Sequence, residues 1–130
     1  MVVQSFVVAG RLPGYNQLQG RNWQETARIK REAKNTVIAA ARWGRIKPVR
    51  NYPCEVYITC WEPDMRRDDG NVKAGASKVI LDALQDIGVL AGDGRKYVKS
   101  YDMPVELDRD NPRIMVEIRE VNDAACIEKR

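Results

Sequence analysis

Residues 54–61 alternate without interruption, with Cys54, Val56, Ile58 and Cys60 on one side and Glu55, Tyr57, Thr59 and Trp61 on the other. A period of two marks a strand with one buried face and predicts a strand over residues 53–61. A second alternation, inward at Ile114, Val116 and Ile118, predicts a final strand over residues 113–121. The valine-rich stretch 2–9 predicts a first strand, and residues 96–103 a third. Two segments repeat instead at helical spacing. Residues 23–43 bring Trp23, Ala27, Ala33, Val37, Ala40 and Ala41 near one face, and Gly44 and Pro48 end the helix. Residues 72–87 do the same with Ala76, Val79, Ile80, Ala83, Leu84 and Ile87, and Gly88 stops them. Pro13, Gly14 and Asn16 put residues 10–20 in a loop. Tight turns are expected at Gly92-Asp93-Gly94 and over residues 108–112. The tail, residues 122–130, reads as frayed or weakly helical.

The order strand, helix, strand, helix, strand, strand predicts an α+β domain: a mixed sheet of about four strands with two main helices packed on it. A chain of 130 residues suits one domain, spanning 1–130, with a real core. At 44% hydrophobic and 31% charged residues it has the profile of a folded globular protein. No apolar run approaches a membrane span, and no basic region precedes the first apolar residues. The expectation is a protein without leader or anchor, intracellular and cytoplasmic.

Cysteine and histidine narrow the chemistry. Cys54 and Cys60 share a strand face roughly 20 Å apart at ~3.3 Å per residue, too far to bridge, and with Cys126 they make no zinc spacing. They read as small buried apolar residues. The chain has no histidine, which removes Ser-His-Asp and Cys-His catalysis and nearly all transition-metal sites. Carboxylate, lysine and tyrosine chemistry remains, with a hard metal ion as the natural companion.

The net charge of +4 is uneven. Residues 21–50 hold nine basic residues against Glu25 and Glu32, a local excess of +7 that leaves the rest of the chain at −3. Arg28, Arg31 and Lys34 on the first long helix are thus candidates for contact with a polyanion backbone, and a plain solvated helix face is an equally good reading.

The acidic centre is Arg66-Arg67-Asp68-Asp69-Gly70-Asn71, between a strand and a helix. Adjacent carboxylates repel each other, and a divalent cation with a preference for oxygen, Mg²⁺ or Mn²⁺, removes that repulsion. Arg66 and Arg67 beside them suit an anionic substrate. An Asp-Asp-Gly-Asn run also makes an ordinary turn. Lys78 and Asp82 follow on the next helix, where an exposed i,i+4 pair is the plain reading, and Asp93 lies past that helix.

Taken in order, Arg66-Arg67-Asp68-Asp69-Gly70-Asn71, then Lys78-Val79-Ile80-Leu81-Asp82-Ala83-Leu84, then Gly88-Val89-Leu90-Ala91-Gly92-Asp93-Gly94 resembles the RusA family of Holliday junction resolvases. The phage and prophage branch is most similar, and the resemblance covers roughly residues 52–121. It implies a Mg²⁺-dependent (or Mn²⁺-dependent) endonuclease that nicks four-way DNA junctions as a homodimer. The family pattern is Asp-x-Asp-Asn. Asp68 stands at its first aspartate, Asn71 at its asparagine, Lys78 at its helix lysine and Asp93 at its last aspartate. Gly70 stands where the second aspartate is expected, so Asp69 supplies the missing carboxylate or the metal site is impaired.

The resemblance therefore implies Asp68, Asp69 and Asp93 as metal ligands, Lys78 acting on the phosphate, and Arg66, Arg67 and Asn71 at the DNA. Asn71 is equally well read as a helix cap, Asp82 as structural, and Tyr15 and Asn16 as loosely matched residues lining the site. The alternative function is a non-catalytic junction-binding protein whose metal site has decayed at Gly70. A basic scaffold with a chance acidic turn is the third.

Overall fold

A computed structural model describes residues 1–120, so the tail 122–130 and Cys126 lie outside the described residues. Its centre is the strand β2 (Cys54–Glu62), where the alternation seen in the sequence becomes a burial alternation along the whole strand. Cys54, Val56, Ile58 and Cys60 all point into the core. On one side β2 pairs antiparallel with β5 (Arg113–Glu120), setting Val56 opposite Ile118 and Cys60 opposite Ile114. β5 in turn pairs antiparallel with β1 (Val2–Ala9), which adds Phe6 and Val8 to the same inner face. On its other side β2 pairs parallel with β3 (Val98–Asp102), and past β3 with the two-residue β4 (Glu106–Leu107).

A parallel neighbour requires a crossover, and helix α3 (Asp69–Asp86) is that crossover. Its inner stripe, Val72, Ala76, Val79, Ile80, Ala83 and Leu84, is buried against the sheet. Helix α2 (Trp23–Trp43) lies beside it and buries Ala33, Val37 and Ala41. Asn22 caps α2 by accepting the backbone N–H groups of Gln24 and Glu25. Both helices and the core sit on one face of the sheet.

The fold is α+β with a mixed sheet, and three departures from the sequence pattern are instructive. The stretch 10–20 holds a one-turn helix, α1 (Tyr15–Leu18), too short to leave a periodicity. The sheet has a fifth strand in β4, whose two residues cannot alternate detectably. α3 starts at Asp69, ahead of the first periodic apolar residue, because Asp68 caps it: the Asn71 N–H donates to Asp68 Oδ1 at 2.8 Å.

Among the described residues, no helix lies on the opposite face of the sheet. Register places Arg119, Glu55 and Lys99 in one row, Glu117, Tyr57 and Tyr101 in the next, Val7, Met115 and Thr59 in a third, and Arg113, Trp61 and Glu106 at the far end. Tyr57 and Tyr101 stack at 4.7 Å, Arg119 lies 4.4 Å over the Tyr57 ring, and Arg113 lies 4.1 Å over Trp61.

Candidate functional site

The acidic turn is held by a buried carboxylate. Glu62, the last residue of β2, is 3% exposed, and an unpaired charge there would be costly. Two arginines answer it. Arg67 reaches back with Nε to Oε1 at 3.0 Å and Nη2 to Oε2 at 2.9 Å, a bidentate pair. Arg11 adds Nη2 to Oε1 at 2.7 Å. Burial pushes the Glu62 carboxyl up, but the hydrogen bonds and charges of Arg67 and Arg11 outweigh it and hold the group below its ordinary value. Arg67 Nη1 also donates to the Leu12 carbonyl at 2.9 Å, so one guanidinium ties strand end, acidic turn and N-terminal loop together.

That loop is fastened to α3 at two further points. The Asn16 N–H donates to Asn71 Oδ1 at 2.8 Å. At Gly75 the loop approaches so closely that an added Cβ would lie 2.2 Å from the Pro13 carbonyl oxygen, which only glycine permits. These contacts set Tyr15 beside the outer face of α3.

Beneath Tyr15 runs a groove of about 470 Å³. Gly70, Lys73 and Ala74, Ser77 and Lys78, Leu81 and Asp82 recur at helical spacing and form its wall, and Asp93 closes it. The structure therefore brings Lys78 and Asp93 together with the Gly70 position of the acidic turn. Lys78 Nζ lies 3.5 Å from Asp82 Oδ2 and half of its side chain is open to solvent.

Asp68 and Asp69 border a different depression, of about 340 Å³, with Asp64, Arg67 and Leu107. Among the described residues no three acidic or cysteine side chains form a group that could enclose a metal ion. Within one chain Asp68, Asp69 and Asp93 are thus shared between two neighbouring depressions, with Gly70 between them in sequence. Mg²⁺ keeps several waters and is commonly held through one or two carboxylates plus a substrate phosphate. A cation there would be held by one or two of these carboxylates with water and phosphate rather than by an all-protein cage.

The remaining candidates divide by partner. Asn71 is the third residue of α3 and serves as anchor for Asn16, while the cap is Asp68. Arg67 has its whole guanidinium engaged, whereas Arg66 is 90% exposed and only 3.7 Å from Asp64 at its nearest charge. On α2, Arg28 sits between Glu25 and Glu32, and Lys34 pairs with Asp86 at 2.7 Å. Arg31 is exposed and makes no ion pair among the described residues. Lys73 and Ser77 escaped the sequence reading, although Lys73 lies one helical turn from Asp69 and Ser77 directly precedes Lys78. Cys54 and Cys60 are both buried, and burial pushes the Cys54 thiol up to about 11, which fits an inert core residue.

No helix among the described residues is long and apolar enough to cross a membrane. No protein-family model matches the chain, and no curated protein matches it.

Proposed function

We propose that this chain is a RusA-like, Mg²⁺-dependent endonuclease that nicks four-way (Holliday) DNA junctions in recombination or phage DNA processing. The observation that carries the reading is the groove on α3. Lys78, Asp93 and the Gly70 position of the acidic turn, spread over the sequence, border one solvent-open channel. Bound there, the metal would supply phosphate polarisation and an activated water. Asp93 would hold it from the groove side and Asp68 or Asp69 from the turn, with water and the phosphate completing its shell, while Asp82 remains the partner of Lys78.

The chain's own part is electrostatic and positional. Lys78, with half its side chain in solvent, offers its ammonium to the charge that builds on the phosphate. Arg66 and Arg31 have free guanidinium surface for flanking phosphates. Arg67 acts behind the site, fixing the turn through Glu62.

A homodimer suits a junction cut on two opposed strands. Support for it comes from the sheet face that no helix covers among the described residues. There Lys99, Arg113 and Arg119 are balanced by Glu55, Glu106 and Glu117, so the face has no net attraction for a polyanion. Val7 stands 53% exposed beside Met115, with Tyr57 one row away, and Val3 stands 51% exposed on the same strand, an apolar content that a second copy would cover.

Gly70 favours a second reading, a junction-binding protein without cleavage, because this groove position, where the family pattern has its second aspartate, lacks a carboxylate. Incubating a synthetic four-way junction with Mg²⁺ separates the two. Nicking that disappears in Asp68→Asn supports the nuclease. Tight binding without nicking supports the binder. Asn is as good a helix cap as Asp, so this control removes the charge and keeps the α3 cap.

A further inference from the structure

The groove contains more cationic and hydroxyl chemistry than cleavage at Lys78 requires. Lys73 and Ser77 are four residues apart and stand one above the other on the outer face of α3. Tyr15, 42% exposed, stands across from them. Between them the helix presents only Gly70 and Ala74, so a ligand can come close to its backbone. Lys73 makes no ion pair among the described residues, unlike Lys78 with Asp82 and Lys34 with Asp86. A partly buried lysine without an ion pair among the described residues, lining one groove with two hydroxyl-bearing residues, is suited to an anion with several acceptor oxygens.

Lys73 and Lys78 are separated by about 7.5 Å along the helix axis at ~1.5 Å per residue. That separation is comparable with the spacing of successive phosphates on one strand, so the two lysines suit two neighbouring phosphates. We infer that Lys73, Ser77 Oγ and the Tyr15 hydroxyl form a second phosphate subsite, which takes the backbone phosphate next to the one at Lys78 and orients the strand along α3. This inference rests on the DNA reading above, and it assigns the direction in which the strand runs: from Asp93 and Lys78 toward the N-terminus of the helix.

Binding alone tests it, with a synthetic four-way junction in EDTA at a series of salt concentrations. Each phosphate neutralised contributes a slope of roughly 0.9 to log K against log salt. Lys73→Ala should flatten the slope by about one and weaken binding several-fold at low salt, with an unchanged melting temperature. Lys73→Arg should restore both, and Ser77→Ala or Tyr15→Phe should weaken binding about twofold without altering the slope. A wild-type protein that binds the junction while Lys73→Ala keeps the same slope overturns the subsite and leaves the DNA reading standing. A wild-type protein that binds no DNA overturns both.

Discussion

A Cβ added at Gly70 would lie 3.4 Å from Oδ1 of Asp68 and would meet nothing else within 4 Å. The position therefore has room for a side chain, and an aspartate there would set its carboxylate beside that of Asp68. It would also border the groove that holds Lys78 and Asp93. Gly70→Asp should fold as well as the parent, since replacing glycine near a helix N-terminus with an acid is favourable by about 0.5–1 kcal/mol. Its affinity for Mn²⁺, followed by calorimetry, should rise at least tenfold, and any nicking activity should rise with it. An unchanged affinity would remove the acidic turn from the metal site.

The buried Glu62 makes a prediction about acid. Its carboxyl titrates below the ordinary value of 4.5 because Arg67 and Arg11 overcome the effect of burial. The stability it contributes is then full above about pH 4.5 and lost as pH falls through the lower folded value. Thermal melts of the wild type and Glu62→Gln should differ most at neutral pH and converge as the pH falls through the depressed folded value. A difference that stays constant with pH would mean that Glu62 is not ionised in the fold.

Arg67 should behave as a structural residue. Removing it leaves Glu62 with Arg11 alone and cuts the link to the Leu12 carbonyl, which should cost about 3 kcal/mol in a urea melt. Arg66→Ala should leave the melt unchanged and weaken junction binding, because Arg66 is almost fully exposed. If both substitutions proved equally harmless to stability, the assignment of Arg67 to the scaffold would fail.

Much of this fold was legible because burial follows simple periods. β2 and β5 alternate throughout, and α2 begins and ends where its pattern does. The short elements were not legible, since α1 and β4 are held by contacts distant in sequence: Asn16 to Asn71 and Trp61 to Glu106. The site was partly legible. Motif spacing pointed to Lys78 and Asp93, but no period reveals that Arg67 turns inward to Glu62, or that Asp68 and Asp69 border a different depression from Gly70, Lys78 and Asp93. Lys73 had no motif to mark it, and only the groove brings it into view.

The uncovered sheet face yields a prediction about assembly. Val7 is 53% exposed next to Met115, with Tyr57 one row away. Val7→Glu should leave the inner face intact while placing an unpaired charge within the proposed contact. Light scattering should show a dimer for the wild type and a monomer for the variant, with similar melting temperatures at low protein concentration. A monomeric wild type would leave this face without its proposed partner and would require each nick to be made by a separate molecule.

Lys78 separates the enzymatic reading from the structural one. Its ammonium lies 3.5 Å from Asp82, an exposed i,i+4 pair whose loss should cost at most ~0.5 kcal/mol. If the same ammonium stabilises the reacting phosphate, Lys78→Ala should slow single-turnover nicking by roughly 10²-fold or more under saturating Mg²⁺, the usual effect of losing one electrostatic donor. Metal affinity should change little, because a protonated amine cannot be a ligand. Lys78→Arg keeps the charge but spreads it over a planar fork, so it should recover binding better than rate. The expected outcome is a fallen rate with an unmoved urea melt. An unchanged rate would return Lys78 to its pairing with Asp82 and leave the groove as a surface for holding DNA.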